Sequence, residues 1–205
     1  MPYKLYGSPL SPYMRAAQIV FAEHDIEYEL VPIGPAELAA PDYGNLHPYR
    51  KLPTLDYDGE RVFETSAIMH YIDALSDTPL QPGDPLQAAR SNQWLSAANC
   101  YIYRDAFTNL YFKRVLAPQF GIEVDEDVIA DGVEKSAGHL IHVEHAIAAG
   151  ELGGAAPHLG DILVGSVLIL LRDIEEGRRL LEPHPRTTAW LNDLSVRPSF
   201  VATNS

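Results

Sequence analysis

The pattern of apolar and polar residues changes character near residue 78. Before that point, short runs rich in aromatic and branched residues alternate with segments of helical periodicity. This pattern predicts strands at 3–6 and 27–33, helices at 12–24 and 65–75, and a short helix or loop at 37–46. After that point nearly all apolar residues recur at helical spacing, which predicts helices at 86–116, 125–149, 159–171 and 186–194.

A hairpin is predicted between the second strand and the helix at 65–75. Proline lacks an N–H and is tolerated in a sheet only at an edge or at the first strand position, so Leu52-Pro53 marks the start of a strand. A cis bond at this proline would turn the backbone of Leu52 outward. Asp58-Gly59 suits a tight hairpin turn. The resulting order, βαβ followed by ββα, predicts a mixed sheet covered by helices.

The clearest linker lies between the two patterns. Pro79, Pro82 and Pro85 fall within seven residues and exclude a continuous helix there. We therefore expect a first domain at 1–77, a linker at 78–86 and an all-helical domain at 87–205.

Charge and cysteine content restrict the function classes. The formal net charge is −13, so a nucleic acid backbone would be repelled. The single cysteine, Cys100, excludes an internal disulfide and a clustered thiolate metal site, and we interpret it as a buried small hydrophobe. No charged-then-apolar leader opens the sequence, and the longest apolar run, 162–171, is too short to span a bilayer. We expect a cytoplasmic protein with no membrane partner.

Three histidines recur at intervals of three residues on one predicted helix: His139, His142 and His145. Their directions rotate progressively around the helix, which makes ligation of one metal by all three awkward. We therefore expect no metal site.

The start of the helix at 65–75 is suited to a charged ligand. Its first N–H groups and positive dipole end can hold a carboxylate, and Thr65 offers a side-chain acceptor. Glu64 can pair with an ammonium group. A ligand with both an α-carboxylate and an α-ammonium, and with a backbone that aligns with Leu52, would satisfy these groups together.

The chain resembles the cytosolic glutathione transferases, in the serine-type branch of theta/delta-like or bacterial members. The resemblance spans the chain and is carried by residues 6–15, 47–55, 64–72, 160–162 and 190–194. It implies a thioredoxin-like α/β domain followed by an all-α domain, and a homodimer in which the two long helices after the linker form much of the interface. Glutathione would be a co-substrate, and no cofactor is implied.

The resemblance also implies roles for particular residues. Pro53 corresponds to a cis-proline, with the backbone of Leu52 bonded to the cysteinyl part of glutathione. Glu64 and Thr65 correspond to the pair that holds the γ-glutamyl end, and Lys51 to a contact with the glycyl carboxylate. Three residues depart from the usual pattern: Arg50 replaces glycine, His47 replaces asparagine, and His158 replaces a Ser or Thr helix cap.

Ser11 matches the hydroxyl that bonds the glutathione sulfur in serine-type members. The alternative interpretation of Ser11-Pro12 is a plain helix cap, and Ser8 or Tyr6 could take over the catalytic role. Because the residue is serine and not cysteine, it forms no mixed disulfide with glutathione, which argues against thiol transfer.

The second substrate is expected to be an apolar, aromatic electrophile attacked by the glutathione thiolate. Tyr13, Tyr103 and Phe107 are our candidates for its pocket, although aromatic residues at this spacing can equally form core or dimer packing. Two other functions stay open at this point. The same thiolate could serve reductive chemistry, as in a peroxidase, a dehalogenase or an ether-cleaving enzyme, or the chain could be a non-catalytic binding module.

Overall fold

The N-terminal part of the chain forms a four-stranded sheet. The computed structural model describes residues 3–203 of the chain. Its strands are β1 (Tyr3–Gly7), β2 (Tyr28–Pro32), β3 (Thr54–Tyr57) and β4 (Glu60–Phe63). β1 pairs in parallel with β2, antiparallel with β3, and β3 is antiparallel to β4. This confirms the predicted mixed sheet of a thioredoxin-like domain.

Three α-helices accompany the sheet: α1 (Pro12–Glu23), α2 (Pro35–Ala39) and α3 (Thr65–Asp73). α1 begins after Ser11 with proline at its first position, where the missing N–H costs no helical bond. It buries Met14 and Phe21 completely. The segment expected as one short helix or a loop at 37–46 instead holds α2 and a 3₁₀ helix, Pro41–Asn45.

The rest of the chain is helical. Its α-helices are α4 (Pro85–Ala97), α5 (Ala117–Gln119), α6 (Glu126–Ala148), α7 (Leu159–Leu168), α8 (Glu175–Leu181), α9 (Pro185–Ser195) and α10 (Pro198–Ala202). A π-helix, Ala98–Leu116, joins α4 to α5, and a 3₁₀ helix, Ile169–Asp173, follows α7. The predicted helix at 86–116 is therefore continuous in helical character but changes its hydrogen bonding at Ala98.

The chain divides into two units. The first runs to Gln81 and includes the residues from Pro198 onward, and the second is Pro82–Arg197. The division falls inside the expected linker, 78–86. The residues of α10, which we expected to close the helical domain, instead lie with the first unit.

One burial prediction is wrong. Cys100 is exposed, not buried. The buried small and apolar residues of this stretch recur every four positions, at Ala98, Ile102, Ala106 and Leu110. Cys100 falls midway between the first two and therefore points away from the core.

The core of the second unit is built around α7, in which every residue is buried. His158 caps α7, because its Nδ1 accepts a 3.2 Å hydrogen bond from the Asp161 N–H, and its Nε2 donates to the Glu151 carbonyl at 2.9 Å. Burial raises the pKa of Asp161, against the opposing effect of His158. Across residues 3–203, no helix reaches the length and apolar character that a membrane crossing requires.

Candidate active site

The register of the sheet brings three separate chain segments together where neighbouring strands end or begin. This end of the strands is called the sheet edge below. Tyr6 pairs with Thr54, and Thr54 pairs with Phe63. At this level β1 ends, β3 begins and β4 ends. Three segments therefore lie side by side here: the loop to Ser11, the Leu52-Pro53 step and the Glu64-Thr65 step. β1 and β4 lie two strand spacings apart, which is about 10 Å. An extended tripeptide spans about 10 Å as well.

The Leu52–Pro53 peptide bond is cis, as the resemblance implied. Pro53 is buried, as is Thr54, the first residue of β3. Leu52 keeps part of its surface exposed. Of these three residues, Leu52 is therefore the one that offers surface to a ligand.

The turn into α3 has an uncommon backbone conformation. Glu64 has φ +71° and ψ 120°, in a region that non-glycine residues rarely adopt and that is concentrated at functional sites. α3 begins at Thr65, as predicted, and its cap residue is Glu64, whose side chain makes no capping hydrogen bond. Thr65 is 5% exposed and Glu64 is exposed. The carboxylate of Glu64 is therefore accessible to a ligand at the N-terminus of α3.

Ser11 is the N-cap of α1 and is partly exposed. Its Oγ accepts a hydrogen bond from the Met14 N–H at 3.5 Å, and its own N–H donates to the Ser8 carbonyl at 3.0 Å. A serine hydroxyl that accepts one bond can still donate its proton elsewhere. The cap and the expected catalytic role are therefore compatible.

The loop before Pro53 is braced by a residue that sequence reasoning missed. The Tyr43 hydroxyl donates a 2.8 Å hydrogen bond to the Lys51 carbonyl. Tyr43 is 5% exposed, and burial raises the pKa of its hydroxyl, with Arg50 opposing. Lys51 itself is exposed. The brace fixes the backbone one residue before Leu52.

Arg50 has a structural role in the same loop. It has φ +53°, the left-handed region that favours glycine. Its Nη2 donates to the carbonyls of Leu38 at 2.8 Å and Ala40 at 2.6 Å, at the end of α2. The side chain thereby satisfies carbonyls that the end of a helix leaves unpaired.

His47 performs the local bonding expected of an asparagine. Its Nδ1 accepts a 3.2 Å hydrogen bond from the Tyr49 N–H, two residues on, as the side chain does in an Asx-turn. The ring lies 5.1 Å from that of Phe63 and is 1% exposed. Burial lowers the pKa of His47; Glu64 opposes this shift and Lys51 adds to it. His47 is thus suited to remain neutral as a turn acceptor.

The expected pocket residues lie in both units. Tyr13 is partly exposed on α1. Tyr103 and Phe107 are neighbours on the π-helix, with ring centroids 5.0 Å apart, and Phe107 is 7% exposed. Phe107 also contacts the Tyr111 ring at 6.1 Å. Phe107 therefore contributes mainly to an aromatic cluster on the π-helix, and Tyr103 exposes more of its surface.

The three histidines of α6 line one groove together but are not arranged as a metal site. His139 Nε2 lies 2.9 Å from Asp105 Oδ2, and His142 and His145 are exposed. Burial would raise the pKa of Asp105, but hydrogen bonds from Arg104 and His139 lower it. Within the described part of the chain, no group of three or more His, Cys, Asp or Glu residues is arranged to hold a metal.

Comparison with known proteins identifies the family. The family model for the glutathione S-transferase N-terminal domain matches residues 5–80. Glutathione S-transferase 3 of Zea mays is 30% identical over 210 residues, which cover 98% of this chain and 93% of that protein. The chain belongs to the glutathione S-transferase family.

Further relatives of this transferase agree with that assignment. Probable glutathione S-transferase GSTF2 of Oryza sativa subsp. japonica is 29% identical over 206 residues, covering 97% of this chain and 94% of that protein. Among solved structures, glutathione transferase F7 from Populus trichocarpa has a TM-score of 0.87 at 26% identity, covering 98% of this chain and 97% of that one. The complex of maize glutathione S-transferase I with an atrazine glutathione conjugate has a TM-score of 0.85 at 25% identity, covering 99% and 96%. The named relatives of this transferase are plant proteins of the phi class.

Proposed function

We propose that this transferase binds glutathione along the sheet edge and that Ser11 stabilises its thiolate for attack on an apolar, aromatic electrophile. The observation that carries the proposal is the register Tyr6–Thr54–Phe63, since it gathers the Ser11 loop, the cis-Pro53 step and the turn into α3 along one edge. The spacing of these segments suits an extended tripeptide.

Each part of glutathione has a partner along this edge. Glu64 would pair with the α-ammonium of the γ-glutamyl end, and the N–H groups at Thr65 would hold its α-carboxylate. The backbone of Leu52 would bond the cysteinyl residue. Lys51, whose side chain is exposed, would reach the glycyl carboxylate.

Ser11 can supply the required shift in thiol pKa. Lowering a thiol pKa from about 8.5 by about 2 units takes roughly 2.7 kcal/mol. A hydrogen bond to a charged acceptor contributes about 1.5–3 kcal/mol. The N-terminus of α1 adds about 0.3–1 kcal/mol. Together, one hydroxyl and one helix end are sufficient.

Two alternative groups lie nearby. The Ser8 hydroxyl accepts a 3.4 Å bond from the Leu10 N–H, much as Ser11 does from the Met14 N–H, so Ser8 is separated from Ser11 by the variants tested below and not by its local contact. Gly7 faces α1, because a Cβ on Gly7 would lie 2.5 Å from Met14 Sδ. Successive strand residues point to opposite faces, so Tyr6 points away from α1. We keep serine-type chemistry at Ser11 in the proposal, although the curated relatives named above are plant phi-class proteins and the theta/delta-like or bacterial branch that we expected is not confirmed.

In the proposed reaction the thiolate sulfur forms a bond to an electrophilic carbon. In a substitution, the leaving group departs with its bonding electron pair. The maize relative was solved in complex with an atrazine glutathione conjugate, which supports conjugation as the reaction class. Tyr13, Tyr103 and Phe107 remain our candidates for contact with the electrophile. We place this activity in detoxification in the cytoplasm.

A homodimer is the proposed assembly. The second unit exposes apolar side chains on its two longest helices: Tyr101 is 57% exposed and Ile141 47% exposed. Between these helices lies a groove of about 580 Å³, lined in part by Trp94, Tyr101 and Ile102. A second copy packed on this surface would remove these apolar groups from water.

The test of Ser11 is the ultraviolet thiolate absorbance of bound glutathione against pH. We expect a thiol pKa well below that of free glutathione in the wild type, and a return upward in Ser11→Ala with binding retained. Ser8→Ala is the matched control and should behave as wild type. An unchanged thiol pKa in Ser11→Ala would exclude the proposed role of Ser11.

Product analysis with a chloroaromatic substrate tests the reaction class. A stable glutathione conjugate is expected. Accumulation of oxidised glutathione would instead indicate reductive chemistry. Saturable glutathione binding with no thiol pKa shift and no product would contradict thiolate activation altogether.

A further inference from the structure

The C-terminal helix α10 packs against α1, the helix that Ser11 caps. Both helices belong to the first unit. On α10, Phe200 is fully buried and Ser199 is 5% exposed, whereas Val201 is 58% exposed. One face of this short helix therefore packs against α1.

Two polar contacts fasten α10 along the length of α1. Arg15 Nη2 donates a 3.2 Å hydrogen bond to the Phe200 carbonyl, and its guanidinium carbon lies 5.7 Å from the centre of the Phe200 ring. A cation at this distance from an aromatic face is attracted to it. Near the other end of α1, the Ser199 hydroxyl donates to the Glu23 carboxylate.

Arg15 also connects directly to the catalytic candidate. Its backbone N–H donates a 2.9 Å hydrogen bond to the Ser11 carbonyl, in the first turn of α1. A single residue thus links Phe200 to Ser11, through its side chain on one side and its backbone on the other. We propose that α10 is a positioning element for the Ser11 hydroxyl and acts through Arg15, an inference that rests on the proposed function of Ser11.

The Ser11 hydroxyl needs such support because its own cap bond is weak. The Met14 N–H lies 3.5 Å from Ser11 Oγ, at the long limit of a hydrogen bond. The location of Oγ is therefore set mainly by the backbone of the first turn of α1. A misplacement of about 1 Å can cost about 100-fold in rate. Arg15 and Phe200 would hold that turn in place without touching the substrate.

The first test compares two variants with a control on the same helix. Arg15→Met removes the guanidinium but keeps an extended apolar stem, and Phe200→Leu removes the ring but keeps an apolar side chain in the buried site. Both should raise the thiol pKa of bound glutathione and lower kcat about tenfold, with the glutathione Kd within about twofold of wild type. Val201→Ala, at an exposed position, should leave all three values unchanged.

A double-mutant cycle separates positioning from a direct effect of the Arg15 charge on the thiolate. If Arg15 acts through Ser11, Arg15→Met in a Ser11→Ala background should cause no further rise in the thiol pKa. A full additional rise in that background would show a direct charge effect and would overturn the positioning role. Thermal unfolding of each variant identifies any that fails to fold, in which case Phe200→Leu and its own cycle with Ser11→Ala decide the question.

The outcomes distinguish this inference from the proposed function. An unchanged thiol pKa in Ser11→Ala refutes the role of Ser11 itself, and the positioning role with it. A raised thiol pKa in Ser11→Ala, together with wild-type values in both Arg15→Met and Phe200→Leu, refutes the positioning role and leaves Ser11 in place.

Discussion

The Tyr43 hydroxyl donates a 2.8 Å hydrogen bond to the main-chain carbonyl of Lys51, across the loop that leads to the cis-Pro53. The bond is made by a side chain that is almost completely buried. It holds the backbone beside Leu52, the residue proposed to pair with glutathione. The position of this loop therefore depends on Tyr43, which lies outside the segment at 47–55 that carries the family resemblance.

Removing this hydroxyl should weaken glutathione binding without changing its activation. A neutral hydrogen bond contributes about 0.5–1.5 kcal/mol, so Tyr43→Phe should raise the glutathione Kd by about 2- to 10-fold. The thiol pKa of bound glutathione should stay at the wild-type value, because Ser11 is untouched. Titration calorimetry measures the Kd, and thiolate absorbance measures the pKa.

Tyr57→Phe is the matched control for this prediction. Tyr57 lies at the far end of β3 and stacks on Tyr3, with ring centroids 4.5 Å apart. Its hydroxyl is not part of the loop, so glutathione affinity should be unaffected. Equal affinities in Tyr43→Phe and wild type would contradict the proposed role of the brace.

Much of the backbone around the candidate site could be predicted from the sequence because its signals are local. Pro53 and Asp58-Gly59 each constrain the backbone through their own chemistry, and they predicted the start of β3 and the hairpin. The hydrogen bond between Tyr43 and Lys51 could not be predicted in this way, because it depends on how the chain turns between two residues that are eight positions apart.

The parts that the sequence did not reveal depend on contacts between distant residues. Phe200 meets Arg15 across 185 positions, so the pattern near α10 gives no hint of its partner. α8 was missed for a related reason. It has few apolar residues, and it packs through Gly177, where a Cβ would lie 2.0 Å from the Leu171 carbonyl oxygen. Close packing of this kind replaces the apolar stripe that sequence reasoning looks for.

The cap of α7 leads to a prediction on stability. His158 occupies a position that Ser or Thr would fill, and its Nδ1 accepts the Asp161 N–H. Loss of a helix cap costs about 1 kcal/mol. For a chain of this length that corresponds to a fall of about 2–4 °C in Tm. We therefore expect His158→Ala to lower the Tm by this amount and His158→Ser to restore most of it, as measured by calorimetry.

A second histidine serves as the control for the cap. His142 is exposed on α6, and His142→Ala should leave the Tm within about 1 °C of wild type, as surface changes usually do. If His158→Ala and His142→Ala have the same small effect, the hydrogen bond from Asp161 does not stabilise α7.

The proposed dimer gives a prediction on assembly. Tyr101→Glu places a charge within the surface expected to be covered, and burying an unpaired charge is costly. Light scattering should give twice the 22.7 kDa monomer mass for wild type and the monomer mass for the variant. Val196→Glu, at a position that is 74% exposed, should remain dimeric. A wild-type chain that is monomeric at micromolar concentration would rule out the dimer.

Glu144 gives stability that depends on pH. Its carboxylate accepts hydrogen bonds from the Thr187 N–H and the Thr187 hydroxyl, both at 2.8 Å, and from the Arg186 N–H at 3.1 Å, at the start of α9. Burial tends to raise the pKa of Glu144, but these bonds outweigh it and lower the pKa below the ordinary value of 4.5. The carboxylate therefore stabilises the fold fully above pH 4.5, and this contribution is lost as the pH falls through the lower pKa of the folded state.

Glu144→Gln should remove this contribution while keeping the shape of the side chain. Hydrogen bonds to a charged group contribute about 1.5–3 kcal/mol, and the amide retains one acceptor, so we expect a loss of about 1–2 kcal/mol in urea unfolding at pH 7. Glu134→Gln, at an exposed position on the same helix, should have no effect. The difference between wild type and Glu144→Gln should persist at pH 6 and shrink below pH 4.5, because the wild-type carboxylate is then progressively protonated. A difference that is equally large at pH 3.5 and pH 7 would show that Glu144 stabilises α9 through packing and not through its charge.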